Sequence, residues 1–282
     1  MKKRSWAVPA LLLAASFLFS LLCGRYPLNL SDVWDILSGR AAGTMGENIF
    51  WNVRVSRTCV AALCGGALSL AGFVYQSLFR NPLVSPDVLG VSGGASVGAV
   101  CGILFFGGSA AVLQLLSFSG GIAAVALSLL LARAIGGSRD FNLILSGIIL
   151  GALANAAIMA LKYMADPTQQ LAVIDYWLMG SFHLAGWSKL KAIAPLILAA
   201  GAILTLLRYH LKVLTLGDEE AASLGVAVGP ARLACVACAT VLTAASVSVS
   251  GIVSWVGLIV PHLVRTVLGD DFEANFFQSI LC

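Results

Sequence analysis

RNPLVSPDVLGVSGGASVG, Arg80 to Gly98, is a polar, Pro- and Gly-rich interruption between two apolar stretches of membrane length, and its reading decides the fold. Pro82 and Pro86 push the residues before them out of the helical region, so a helix arriving over Thr58–Phe79 stops here. Gly90, Gly93, Gly94 and Gly98 then permit unusual backbone geometry and close helix approach as a Gly-rich helix begins. The chemistry of a phosphate cradle is missing. A P-loop needs Gly-x4-Gly-Lys-Ser/Thr, and the stretch holds no lysine. A tight turn between two packed membrane helices is physically sufficient.

Outward from this stretch, composition sets the class. Of 282 residues, 59% are hydrophobic and 11% charged, with a mean hydropathy of +0.95; a soluble domain carries about 25% charged residues. The chain therefore reads as an all-α polytopic membrane protein. Its net charge of +4 is spread over loops, so nucleic acid has no basic patch to bind. Cys235 and Cys238 have CxxC spacing, but no second Cys or His pair lies near them, and zinc takes about four ligands. His183 alone makes no metal site, and His262 has no local nucleophile or carboxylate partner. No catalytic residue, metal or cofactor is expected, and the absence of a Walker A string leaves the chain without an ATPase site of its own.

Eight apolar runs are read, at about 6–23, 58–79, 88–106, 110–134, 141–163, 193–207, 233–249 and 252–268. The first is long enough to span and lacks a small-x-small cleavage site, so it reads as an uncleaved helix. Met1-Lys2-Lys3-Arg4 ahead of it places the N-terminus in the cytoplasm. Residues 24–57 form an external segment, with Ser31-Asp32 as a helix cap. Arg54 and Arg57 share a helix face at the positive end of the second span, where a cation needs another reason to stand: snorkelling to the interface, or an acidic partner. Gln76 offers either a helix–helix hydrogen bond or a substrate contact. The run holding Ser146, Gly147, Gly151 and Asn155 carries a small-residue stripe at four-residue spacing from Gly147 onward, which marks a pathway interface or ordinary packing. Trp177 and Trp187 suit the aromatic belt. Within the connection 209–230, acids in the first turn and Gly225 after the last signal a short helix, with Leu216 and Leu224 calling for a surface to rest on. Almost no ionisable residue falls inside the spans beyond His262 and Arg265, which weighs against the alternative of a partner-independent secondary transporter.

Arg80-Asn81-Pro82-Leu83, Pro86, and Leu89–Ala95 with Gly90 and Gly94 closely resemble the signature of the permease subunits of ABC importers for iron-siderophore, haem and cobalamin, the FecCD type. VSWVGLIVPHLVR, with Pro261 and His262, resembles a second family segment, Ser254-Trp255 standing in place of its usual Gly-Phe. The resemblance implies a type II ABC importer permease fold of ten membrane helices, of which about eight are read here. Residues 1–282 then form a single permease domain short of the last two helices, completed by a second polypeptide or left as an inactive truncated permease. It further implies that Arg54 and Arg57 meet acidic residues of a periplasmic or lipid-anchored substrate-binding protein, although Val55-Ser56 replace the usual Leu-Pro. Leu216, Gly217, Asp218, Glu219, Ala222, Leu224 and Gly225 would form the coupling helix lodged in an ATPase subunit. Gln76, Ser146, Gly147, Gly151, Asn155 and Trp177 would lie along the translocation pathway. The implied assembly is two permease subunits, identical or different, with two cytoplasmic ATPases and the binding protein, in the lipid of a prokaryotic cytoplasmic membrane. Substrate identity is not readable, because the importers sharing these motifs carry different substrates.

Overall fold

A computed structural model describes residues 7–135, 139–269 and 271–281. Among them every regular element is a helix: α1 (Ala7–Leu22), α2 (Leu30–Leu37), α3 (Met45–Asn48), a π-helical turn (Ile49–Val55), α4 (Ser56–Leu78), α5 (Val91–Phe105), α6 (Ala110–Ile135), α7 (Arg139–Met164), α8 (Gln170–Met179), α9 (Trp187–Leu214), α10 (Asp218–Ser223), α11 (Val228–Ser250), α12 (Val256–Leu268) and α13 (Phe272–Leu281). Five helices are long and apolar enough to cross a membrane, Met45–Leu78, Ala110–Ile135, Asp140–Met164, Trp187–Leu214 and Val228–Ser250, and three shorter apolar ones are Pro9–Leu22, Val91–Phe105 and Val256–Val267. These are the eight expected runs. Met1–Arg4, on which the N-terminal orientation rests, lie outside the described residues, as do Asp270 and Cys282.

The bundle is built around α4 and α11. Their apolar windows are 67% and 78% buried, against 22% for α7 and α9, so the first pair is interior and the second presents most of its surface outward. Small residues let the inner helices meet without water-driven collapse. A Cβ at Gly72 would collide with the Gly257 carbonyl of α12; one at Gly98 would strike the Leu116 carbonyl of α6, and one at Gly94 the Gly120 carbonyl. Polar side chains complete the contact: the Tyr75 and Thr240 hydroxyls lie 3.1 Å apart between α4 and α11, and Ser128 of α6 donates to the Leu89 carbonyl at 2.9 Å.

Three expected boundaries move. The second span does not start at Thr58. It continues a helix that begins at Met45 and passes through the π-helical turn, so Arg54 and Arg57 sit inside a helix and not at its positive end. The cap of α2 is Asn29 and not Ser31, with the Asn29 N–H donating to Asp32 at 2.8 Å. The sixth span also outruns its apolar core, reaching Leu214, so the connection carrying α10 shortens to 215–227. Beyond α7, Asp166 receives the Thr168 hydroxyl and N–H at 2.6 and 2.7 Å, and these hold its carboxyl below the usual carboxylate range.

Candidate translocation site

Two breaks in helical structure meet inside the bundle. The first is Phe79–Gly90. Here Arg80 takes a left-handed backbone (φ 50°), Asn81 turns the chain by accepting the Leu83 N–H at 2.9 Å, and Gly90 (φ 78°) starts α5. Asp87 accepts the Ser92 N–H at 2.7 Å, which satisfies a first-turn donor of α5. The second break is Gly251–Trp255, which opens with Gly251 (φ 69°) and closes with Trp255 at φ 73°. A bulky residue held left-handed is an outlier of the kind that clusters at functional positions. The first break packs against the start of α12, just beyond the second break: a Cβ at Gly257 would collide with Pro86 and with the Leu68 carbonyl. Leu68 is near the middle of α4, so irregular backbone lies at membrane depth, a situation tolerated only where it is buried or lines a cavity.

Cavities are indeed there. One of about 320 Å³ is lined by Leu83, Ser85, Pro86, Asp87, Ser254 and Trp255 among others. A second, of about 630 Å³, opens between α5 and α7 over Asp87, Gly90, Gly93, Gly147, Gly151 and Asn155. Asp87, Ser92 and Ile252 line both. Gly147 is there because a side chain would strike the Val88 carbonyl, whereas a Cβ at Gly151 would meet nothing within 4 Å and point into open space. The outer face of α7 is bare, with Ile148, Leu153 and Met159 exposed.

The expected pathway residues divide. Gly147, Gly151 and Asn155 come together in this cleft; Ser146 is buried behind it, its hydroxyl without a partner. Gln76 is elsewhere. It donates to the Leu258 carbonyl at 3.2 Å and lines a cavity of about 840 Å³ with Arg80, Asn81, Pro82, His262 and Arg265, at the end of the bundle that carries α10. Trp177 lies at the opposite end, where its carbonyl packs against Gly251, and Ser181 donates to the Ser250 carbonyl at 2.6 Å. Pro261 falls inside α12, with His262 exposed.

The arginine pair also divides, and here the expectation for Arg54 is corrected. Its side chain is buried, and its guanidinium donates to the carbonyls of Leu21 and Leu22, both at 2.7 Å, and to that of Tyr26. These are the last carbonyls of α1 and the turn beyond it, which a cation satisfies well. Gly24 leaves room for the approach: a Cβ there would stand 2.9 Å from Nη2. Arg54 is therefore neither a snorkelling residue nor a free docking charge. Arg57 is partly exposed and donates to the His183 carbonyl at 3.1 Å.

At the other end, α10 is seated by Ala221 and Val226, both buried, with Gly217 taking a φ of 132°. Leu216, Glu219, Ala222, Leu224 and Gly225 face outward. Asp218 is exposed as well, but its carboxylate takes the fork of the buried Arg232, near the start of α11.

Sequence reasoning missed Asp87, Trp255 and Arg232. Asp87 was legible as an acid placed to cap the helix opening at Val91, whereas Arg232 became significant only through the acids packed against it. Trp255 gave no signal, since only the backbone angle sets it apart.

Comparison with known proteins places this arrangement. The FecCD transport family matches residues 12–282. The molybdate import system permease protein MolB of Haemophilus influenzae is 35% identical over 268 residues, covering 94% of this chain and 79% of that one. The hemin transport system permease protein HmuU of Yersinia pestis is 36% identical over 253 residues, covering 88% and 74%. A solved metal-chelate type ABC transporter in an inward-facing conformation superposes with a TM-score of 0.86 at 33% identity, covering 97% of this chain and 84% of that one. With its signature turn, its second helix break and the cleft between them accounted for, the chain belongs to the FecCD transport family of ABC importer permeases.

Proposed function

We propose that this chain is the membrane subunit of an ATP-driven importer that passes an iron chelate, haem or cobalamin from an external binding protein into a prokaryotic cell, its N-terminus in the cytoplasm. The observation that carries the reading is the small-residue cleft between α5 and α7, backed by non-helical backbone at membrane depth and open on a bare helix face. A second permease subunit set against α7 would close that cleft into a path. Alternating access needs the two breaks to shift against each other, and turns with left-handed residues at Arg80 and Trp255 are where backbone can re-aim without unwinding whole helices. A second substrate reading, a metal oxyanion, is favoured by the 35% identity to a molybdate permease.

α10 is the proposed seat of the ATPase. It projects from the bundle with Leu216 and Leu224 more than half exposed, an apolar pair that fits a groove on a partner. Replacing both by Asp is expected to release the ATPase from detergent-solubilised complex while the permease stays folded; continued co-purification would remove the assignment. Docking of the binding protein is proposed to rest on Arg57, with Arg54 holding the entrance in shape. Arg57→Glu is expected to weaken binding-protein affinity about tenfold at low ionic strength and far less at high salt. An affinity unchanged at low salt would leave Arg57 with only its bond to His183.

A further inference from the structure

Four charged side chains line up in an ion-pair chain beside α10. Arg232 is buried, its side chain 5% exposed. Its Nη2 and Nη1 donate to the two carboxylate oxygens of Asp218 at 2.6 and 3.1 Å. Nη1 also lies 3.3 Å from Oδ1 of Asp140, in the first turn of α7. The other oxygen of Asp140 pairs with Arg80 at 3.8 Å, and Arg80 in turn stands beside Gly217. The charges alternate in sign along the ion-pair chain and come from the turn after α4 and from α7, α10 and α11.

A cation buried near the start of a helix is opposed by desolvation, so its place depends on both carboxylates. A two-pronged guanidinium fork also fixes orientation, which a single ammonium does not. α10 therefore cannot tilt against α11 without breaking the fork, and the shared prong joins that fork to α7, whose Gly147, Gly151 and Asn155 line the cleft. We propose that Arg232 is a positioning residue linking α10 to α7, so that displacement of α10 by a docked ATPase reaches the cleft wall through Asp218, Arg232 and Asp140. This rests on the reading of α10 as the ATPase seat.

The test follows α7 directly. Ile148 lines the cleft and is exposed. Ile148→Cys is introduced in a chain where only the buried Cys64, Cys235 and Cys238 remain, and its reaction with a membrane-impermeant maleimide is timed in membranes holding permease and ATPase, without nucleotide and with ATP and vanadate. The parent is expected to change rate at least fivefold. Asp140→Asn, which spares the Arg232–Asp218 fork, is expected to retain the ATPase on co-purification but to change less than twofold, and Asp140→Glu to restore the response. Arg232→Lys, keeping charge without the fork, should lose it as Asn does. A full response in Asp140→Asn, or no response in the parent, would overturn the proposal; so would loss of the ATPase from Asp140→Asn, which would make the ion-pair chain a support for α10 alone. Failure of the underlying reading shows separately, as an ATPase that stays bound to the Leu216→Asp/Leu224→Asp permease.

Discussion

Gly72→Ala is expected to be among the most damaging single-methyl changes in the chain, costing about 3 kcal/mol or more, at the upper end of what overpacking produces. A Cβ at that position would overlap the Gly257 carbonyl, and Gly257 is itself hemmed in by Pro86 and the Leu68 carbonyl. The neighbours are backbone and a proline ring, with no flexible side chain to swing aside, so α4 and α12 would have to separate. That separation would pull apart the two helix breaks on which the cleft depends. The expected observation is a sharp fall in detergent thermal stability and in folded yield. Gly65→Ala and Gly151→Ala serve as internal comparisons. A Cβ at either meets nothing within 4 Å, and in a helix interior alanine is better than glycine by about 1 kcal/mol. Equal effects at all three glycines would show that helix propensity, and not the crossing of α4 and α12, governs this region.

Arg54→Ala should follow, with a loss of about 2 to 3 kcal/mol, the scale of hydrogen bonds made by a charged donor to groups then left short of partners. The guanidinium gathers three carbonyls from the end of α1 and the turn after it, so its removal frees α1 from the π-helical turn. Arg57→Ala, which forfeits one bond to the His183 carbonyl from a partly exposed position, should cost under 1 kcal/mol. Thermal unfolding in detergent separates the two, and protease sensitivity between Cys23 and Asn29 should rise for the first variant alone. A pair of equal, small effects would return Arg54 to the surface.

The contrast between these two arginines shows what the sequence could and could not convey. Their spacing, three residues apart, correctly put them near one another, but which one faced inward depended on α1 folding back beside the π-helical turn, a tertiary fact with no local signature. By the same logic the turn at Arg80–Gly90 was readable because proline and glycine act on backbone locally. The short helix at Asp218 was readable because its first-turn acids and trailing glycine are local too. Asp218 is the exposed acid its place in a short helix suggests, but only the packing of α11 beside α10 reveals Arg232 as its partner. The four-residue spacing of Gly147, Gly151 and Asn155 was legible as one helix face, and these three line one cleft, while Ser146, a step of about 100° around the helix, is buried behind it.

The central claim, that this chain is an ATP-driven importer permease, is tested most directly in proteoliposomes holding the permease with its ATPase, supplied with binding protein outside and ATP inside. Radiolabelled ferric siderophore, haemin, cobalamin and molybdate would be offered in turn. Accumulation of one of them that requires both ATP and binding protein is the expected result. Accumulation driven by an ion gradient, with the ATPase omitted, would contradict the claim and establish a secondary transporter in its place.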